Sequence, residues 1–218
     1  MKDLPKGSKK LINAWAFYDW ANSVYSLVIS SAVFPIFYGA LTIVKDENGA
    51  VISDTVRLFG FNVNNDSLIS YVTAAAFLVV ALISPLLSGI ADYVGNKKRF
   101  LKFFCYLGAF SCIGLFWFSL ENLFFGLLCY FLALIGFWAS LVFYNSYLPD
   151  IAFPEQQDKA SAKGFSFGYV GSVVLLICCL LMILKYDWFG FENESLPTRL
   201  SFVLTGIWWI GFSQVSYY

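Results

Sequence analysis

The sequence contains no histidine, and only 13% of its 218 residues are charged. Without imidazole side chains, histidine proton relays and histidine-ligated metal sites are excluded. The five cysteines all lie in apolar stretches, their number is odd, and none has the spacing of a metal-binding pair. They are predicted to be small buried hydrophobic residues. No metal site and no cofactor are therefore expected, and the formal net charge of zero argues against a nucleic-acid partner.

Apolar residues are abundant instead. Hydrophobic residues make up 59% of the chain, aromatic residues make up 20%, and the mean hydropathy is +0.70. A water-soluble protein of this length cannot hide so much apolar surface. The sequence therefore predicts an integral membrane protein whose first partner is the lipid bilayer.

Six apolar runs approach the 20 residues that a helix needs to cross a bilayer. They predict an all-α, polytopic membrane helix bundle with spans near 12–43, 67–92, 100–120, 123–148, 163–185 and 199–218. Residues 1–11 are predicted to be a cytoplasmic segment, and residues 12–218 a six-helix transmembrane domain. The first run is too long for a signal-peptide core and is interpreted as a retained span. The longest connection, near residues 44–66, is predicted to be an exterior loop with a small hairpin.

The distribution of basic residues predicts the orientation. In the six-span topology, ten of the fourteen Lys and Arg residues lie on the side of the N-terminus, and four lie on the other side. Basic residues concentrate in cytoplasmic loops. The N-terminus is therefore predicted to be cytoplasmic, and the expected location is the plasma or inner membrane of the cell.

The first span carries polar residues along one side. At 100° per residue, an arc of about 100° contains the following side chains: Asp19, Asn22, Ser23, Ser26 and Ser30. Small polar residues commonly hold helices together, which is the simpler interpretation of the serines. An aspartate at mid-bilayer costs about 2.5–3.5 kcal/mol to insert, and such an acid usually marks an ion or substrate path. Asp19 is predicted to be such a site, with a structural buried acid as the alternative.

Two further groups of residues are candidates for roles inside the bundle. Tyr144 and Asn145, near the cytoplasmic end of the fourth span, are expected to line the same cavity as Asp19, Asn22, Ser23 and Ser26. The alternative for them is an interfacial aromatic belt. In the fifth span, Gly164, Gly168 and Gly171 form a small-residue stripe that favours close helix packing over ligand binding.

The segment SGIADYVGNKKRF, between the second and third spans, resembles the cytoplasmic loop motif of the major facilitator superfamily. The residues that carry this resemblance are Gly89, Asp92, Gly95, Lys97 and Lys98. An aspartate can orient a helix end, a glycine permits a tight reversal, and basic residues keep the loop cytoplasmic. The sequence departs from the superfamily pattern at Ser88, Tyr93 and Asn96.

Several longer segments narrow the resemblance to one branch of that superfamily. WAFYDWANSVYS, SPLLSGIADYVGNKKR, FYNSYLPDIA and KGFSFGYVGS are similar to the vacuole effluxer-like transporters. This resemblance implies twelve helices in two six-helix halves, with helices 1 and 4 lining the central cavity and helices 3 and 6 outermost. The chain then corresponds to the N-terminal half, and the missing second half, in the same or a separate chain, is an expected partner.

Two classes of function follow from these residues. The first is secondary active transport of a small polar solute, such as the amino acids that the resemblance suggests, by alternating access coupled to an ion or proton. The second is a non-transporting structural or regulatory six-helix protein, or an inactive truncated half of a transporter. An enzyme is not expected, because the spans contain no histidine, no pair of acids and no Ser/Lys arrangement.

Overall fold

Long helices make up most of the chain because, in an apolar solvent, each backbone polar group must be paired within the protein. The computed structural model describes residues 4–94 and 96–217. Within these residues, the α-helices are α1 (Lys9–Val24), α2 (Phe34–Thr42), α3 (Asn65–Val94), α4 (Lys97–Gly114), α5 (Leu123–Ser146), α6 (Leu148–Ile151), α7 (Pro154–Leu184) and α8 (Ser195–Tyr217). The all-α fold class expected from the sequence is confirmed.

Five helical segments of the described chain are long and apolar enough to cross a membrane. They are Lys9–Thr42, Asn65–Leu87, Lys97–Trp117, Leu123–Ile151 and Pro154–Leu184, and they correspond to the first five predicted spans. The sixth predicted span is the 23-residue helix α8, which packs against α1 and α4. It is not among the five, so a sixth crossing remains a prediction.

The first span is one continuous helix with an unusual middle. A π-helical segment, Tyr25–Val33, joins α1 to α2, and the Phe34 amide donates to the Ile29 carbonyl five residues earlier. Pro35, where the sequence allows a kink or a break, is in the first turn of α2, and the chain remains helical to Thr42. Proline has no backbone N–H, so at this position the continuous helix lacks one main-chain hydrogen-bond donor.

The connection between the first two spans contains two antiparallel hairpins. Strands β1 (Val44–Lys45) and β2 (Val51–Ser53) form the first, and β3 (Thr55–Leu58) and β4 (Phe61–Asn64) form the second. In the second hairpin, Phe59 and Gly60 make a two-residue turn with φ values of 50° and 89°. Two positive φ angles are typical of a type I′ turn, which favours Asn and Gly. A bulky side chain in this conformation costs about 1–3 kcal/mol.

Helix α7 begins at Pro154, whereas the fifth predicted span begins at residue 163. Proline has the fixed φ that suits the first turn, and the Gln156 side chain accepts a hydrogen bond from the Phe153 amide at 3.1 Å. The first turns of α7 are polar because they extend the helix beyond its apolar stretch. Polarity alone therefore did not mark the start of this helix.

The long helices pack against one another in a bundle. Helix α1 packs against α7 and α8, α4 packs against α5 and α8, and α3 packs mainly against α5. In the apolar stretch of α5, 61% of the residues are buried, compared with 17% in that of α3. Much of the apolar surface of α3 is therefore without a protein partner among the described residues.

Aromatic side chains fill the end of the bundle opposite the N-terminus. Phe34 stacks on Tyr130 with ring centroids 4.4 Å apart, and Phe118 and Phe202 pack edge-on or tilted against the same cluster. Beside them, the Arg199 guanidinium donates to the carbonyls of Phe116 and Phe118 at 2.6 and 2.7 Å. These carbonyls lie just beyond the C-terminal end of α4, where helix carbonyls have no partner within the helix. Arg199 thus ties α8 to the end of α4.

Candidate functional site

Asp19 lies inside the bundle, on α1, with 8% of its surface exposed. Its Oδ2 atom accepts a hydrogen bond from the hydroxyl of Tyr144, on α5, at 2.9 Å. Within the described residues, no basic side chain forms an ion pair with Asp19. A buried carboxylate without a basic partner depends on hydrogen bonds and on nearby water for its solvation.

Tyr144 is held in place by Trp15, one helical turn before Asp19 on α1. The two rings stack with centroids 4.2 Å apart and an angle of 6° between their planes. The Trp15 indole N–H also donates to the Tyr144 carbonyl at 2.9 Å. Because both the ring and the backbone of Tyr144 are fixed, its hydroxyl is directed at Asp19.

A cavity of about 310 Å³ opens beside Asp19, between α1, α5 and α7. Its lining is Asp19, Ser23, Ser26, Leu27, Ser31, Phe137, Leu141, Phe165, Gly168, Tyr169 and Ser172. Asp19 is the single acidic residue in this lining, and four serines supply hydroxyl groups. A cavity of this size, apolar with a few polar groups, is suited to a small molecule.

The π-helical segment determines which serines reach the cavity. Helical periodicity placed Ser30 beside Ser26, but the structure places Ser31 in the lining and leaves Ser30 out. The Ser31 hydroxyl donates to the carbonyl of Ser26, five residues earlier, at 2.9 Å. In a regular helix of the same chain, the Ser84 hydroxyl bonds to the carbonyl four residues earlier. The wider turn therefore brings residues five apart onto one face, and a search with the α-helical period misses Ser31.

The other cavity residues proposed from the sequence occupy different environments. Ser23 and Ser26 line the cavity, whereas Asn22 is fully buried beside it and accepts a hydrogen bond from Ser23 at 3.3 Å. The Asn22 Nδ2 group has no hydrogen-bond partner in the part of the chain that the structure describes. Neither Tyr144 nor Asn145 is among the lining residues. Tyr144 reaches the site through its hydrogen bond to Asp19, whereas Asn145, the next residue of α5, is exposed.

Helix α7 contributes residues that were not predicted to line a cavity. Phe165, Tyr169 and Ser172 all face it. Ser172 is 3% exposed, and its hydroxyl has no hydrogen-bond partner within residues 4–94 and 96–217. The sequence could have indicated Ser172, because it follows Gly168 by four residues and residues four apart lie on one face of a helix.

The three glycines of α7 lie against α1. A Cβ atom at Gly164 would collide with the Asp19 carboxylate, and one at Gly168 would lie 2.6 Å from the Ser23 hydroxyl. At Gly171, it would lie 2.8 Å from the Trp20 carbonyl. Because glycine has no side chain, these three positions allow α7 to approach the polar face of α1 closely.

The loop motif between α3 and α4 is only partly covered by the described residues. Gly95 and the side chain of Asp92 lie outside them. Gly89 is exposed, and a Cβ there would meet no atom within 4 Å. The Lys97 ammonium donates to Asp150 at 2.8 Å and to the Ser146 carbonyl at 3.2 Å. Lys98 lines a second cavity of about 120 Å³, whose walls include Trp15 and Tyr144.

Comparison with known proteins identifies the family. The family model described as vacuole effluxer Atg22 like matches residues 7–218. The chain belongs to this family. Its resemblance to the vacuole effluxer-like branch of the major facilitator superfamily is thereby confirmed.

The relatives of this vacuole effluxer-like protein include bacterial and fungal proteins. The chain is 34% identical over 203 residues to the uncharacterized MFS-type transporter YxiO of Bacillus subtilis (strain 168). This alignment covers 90% of the chain and 43% of the relative. It is 23% identical over 299 aligned positions to autophagy-related protein 22 of Coccidioides immitis (strain RS), covering 97% of the chain and 48% of the relative. The chain thus spans about half the length of these curated relatives. No solved structure matches it.

Proposed function

We propose that this protein takes part in secondary active transport of a small polar solute, with Asp19 as the site that couples transport to a proton or another ion. The observation that carries the proposal is the position of Asp19, buried at a cavity and hydrogen-bonded to Tyr144. The family description and the name of the Bacillus subtilis relative, an effluxer and an MFS-type transporter, support transport as the general activity.

Two opposing effects act on the Asp19 carboxyl group. Removal from water disfavours its ionised form, whereas the Tyr144 hydroxyl donates to the carboxylate and stabilises that form. Hydration of the adjacent cavity changes the balance between them. Opening the cavity to one side of the membrane and then to the other therefore allows Asp19 to bind a proton on one side and release it on the other.

The lining of the cavity limits the solutes that fit. A volume of about 310 Å³ accommodates a small molecule of the size of an amino acid. The hydroxyl groups of Ser23, Ser31 and Ser172 offer hydrogen bonds to its polar atoms, and Phe165 and Tyr169 offer apolar contacts. A small polar solute with an apolar part suits this combination.

A complete alternating-access transporter needs a second unit that rocks against the first about the central site. The exposed apolar surfaces of α3 and α7 support such a partner, either later in the same chain or in a separate one. We propose that residues 12–218 form one six-helix half, with α8 as the sixth span and the N-terminus cytoplasmic in the plasma or inner membrane. The excess of basic residues on the N-terminal side supports this orientation.

A structural role for Asp19 is the alternative. The Tyr144–Asp19 hydrogen bond joins α5 to α1 within one protein and favours this interpretation if no coupling is found. In that case the chain is a structural or regulatory membrane protein, and Asp19 acts only as a buried hydrogen-bond acceptor.

Asp19→Asn tests the coupling in the complete transporter assembly reconstituted into vesicles. The variant keeps the shape of the side chain but cannot titrate. We expect it to exchange solute between the two sides while losing accumulation driven by a pH gradient. Asp19→Glu, which restores a titratable group, should recover part of this accumulation.

Asp158→Asn is the matched control, because Asp158 is an exposed acid near the start of α7 and lies outside the cavity. It should accumulate solute as the parent protein does. Normal accumulation by Asp19→Asn would show that Asp19 is a structural acid and that coupling runs elsewhere.

A further inference from the structure

The turn of the second hairpin exposes two phenylalanines. Phe59 is 75% exposed and Phe61 is 73% exposed, although both are large apolar side chains. Phe59 also has a φ of 50°, which asparagine or glycine adopts far more readily. An aromatic residue in this conformation, with its ring directed away from the protein core, suggests that the ring contacts something outside the chain.

The hairpin holds these rings in a defined place. On its inner side, Val56 is buried in the core, and Leu58 and Val63 pack against the core. The Asn64 side-chain amide donates to Asp54 at 2.7 Å, and the Asn65 amide, at the start of α3, donates to the Asp54 carbonyl at 2.8 Å. The turn is therefore supported by a rigid base joined to a membrane helix.

The turn lies beside the first turn of α5. The ring of Phe59 contacts that of Phe124, with centroids 5.4 Å apart. Phe124 is the second residue of α5, so it marks the level at which this apolar helix begins. Phe125 and Trp117, at the adjoining ends of α5 and of the preceding span, are also exposed. Phe59 and Phe61 thus continue an apolar, aromatic surface that belongs to the spanning helices.

We propose that Phe59 and Phe61 form an aromatic anchor that inserts into the lipid of the leaflet facing the hairpins. Aromatic side chains are enriched at the boundary between headgroups and hydrocarbon, and the contact with Phe124 places the turn at that boundary. The first hairpin provides the contrast within the same loop. Its turn, residues 46–50, is exposed and carries the polar side chains of Asp46, Glu47 and Asn48, so it belongs in water.

Spin labels at the two turns test this proposal in the full chain, reconstituted into phosphatidylcholine vesicles. All five cysteines lie in the described residues and only Cys178 is exposed, so Cys178→Ala provides the background. Labels are placed at Phe59→Cys and, as the matched control, at Asn48→Cys. Oxygen concentrates in lipid, whereas the nickel complex used for comparison is water-soluble. The ratio of oxygen collisions to nickel-complex collisions should be severalfold higher for the Phe59 label than for the Asn48 label.

Two results would overturn the anchor. Equal access of the nickel complex to both labels would show that Phe59 faces water. Protection of the Phe59 label from oxygen and nickel alike would show that protein, a second copy or another subunit, covers it.

A second variant separates lipid contact from the fold of the hairpin. Phe59→Asn keeps the turn, because asparagine readily adopts a positive φ. With a label at Phe61→Cys, this substitution should shift the ratio of oxygen to nickel collisions towards water. An unchanged ratio in the folded variant would show that Phe59 does not hold the turn in lipid.

Discussion

Tyr144 connects the carboxyl group of Asp19 to the rest of the bundle. Its ring stacks on Trp15, its hydroxyl donates to Asp19, and it also lines the smaller cavity that contains Lys98. Tyr144 therefore lies between the cavity beside Asp19 and a second cavity nearer the N-terminal end of the bundle. Whatever Asp19 does, the state of this hydrogen bond determines how its carboxyl group is solvated.

Removing the hydroxyl in Tyr144→Phe should lower the stability of the folded protein. The substitution leaves the buried Asp19 carboxyl without its side-chain donor, which costs about 1–3 kcal/mol. The measurement is the midpoint of thermal unfolding in detergent, with Trp15 stacking preserved because phenylalanine keeps the ring.

Tyr169→Phe supplies the matched control. Tyr169 lines the cavity beside Asp19, is exposed, and its hydroxyl makes no hydrogen bond within residues 4–94 and 96–217. Removing the Tyr169 hydroxyl should leave the midpoint of thermal unfolding unchanged. If the two variants melt at the same temperature, the Tyr144–Asp19 bond contributes nothing to stability.

Among the helices, the contact between α1 and α7 depends most on the absence of side chains. The three glycines of α7 allow the carboxyl of Asp19, the hydroxyl of Ser23 and the backbone of Trp20 to approach its backbone. The polar face of the first span is consequently covered by α7 along part of its length. The cavity occupies the part of this face that remains open.

Gly168→Leu should separate α1 from α7. A Cβ at this position would lie 2.6 Å from the Ser23 hydroxyl and 3.3 Å from the Asp19 carbonyl, and a leucine adds three more carbons. Overpacking of this kind typically costs about 1–3 kcal/mol. The expected result is a lower midpoint of thermal unfolding in detergent.

Gly211→Leu, in α8, controls for the change in helix propensity. Gly211 is exposed, and a Cβ there would meet no atom within 4 Å. Both variants gain about 1 kcal/mol of helix propensity, so only the packing differs between them. Equal midpoints would mean that the glycine face of α7 is not a tight interface.

For the bundle as a unit, the topology can be tested from the ends of its helices. Asn48 lies in the connection between the first and second spans, and Asp158 lies near the start of α7. Both are exposed. In the proposed topology, they lie on opposite sides of the membrane because an odd number of spans separates them.

Labelling of whole cells with a membrane-impermeant maleimide measures this directly. In a Cys178→Ala background, Asn48→Cys should react from outside, and Asp158→Cys should react only after the membrane is permeabilised. Reaction of both from outside in intact cells would contradict the proposed topology and orientation.

Much of the architecture could be predicted from composition and from local order along the chain. Insertion into a bilayer depends on the summed hydropathy of about 20 consecutive residues, and an apolar segment in lipid must pair its own backbone groups. The first five spans and the helical fold follow from these two facts. The cost of one aspartate in such a segment identified Asp19 without any knowledge of its neighbours.

The contacts of Asp19 could not be predicted in this way. Its partner Tyr144 is 125 residues away in the sequence. Ser172, on a third helix, lines the cavity beside Asp19. The π-helical turn replaces Ser30 with Ser31 in the cavity lining, and the exposed Asn145 is one residue past Tyr144. Local periodicity describes each helix about its own axis. How the helices are rotated and how closely they approach depend on packing between residues distant in sequence, so the contents of the site are a property of the assembled bundle.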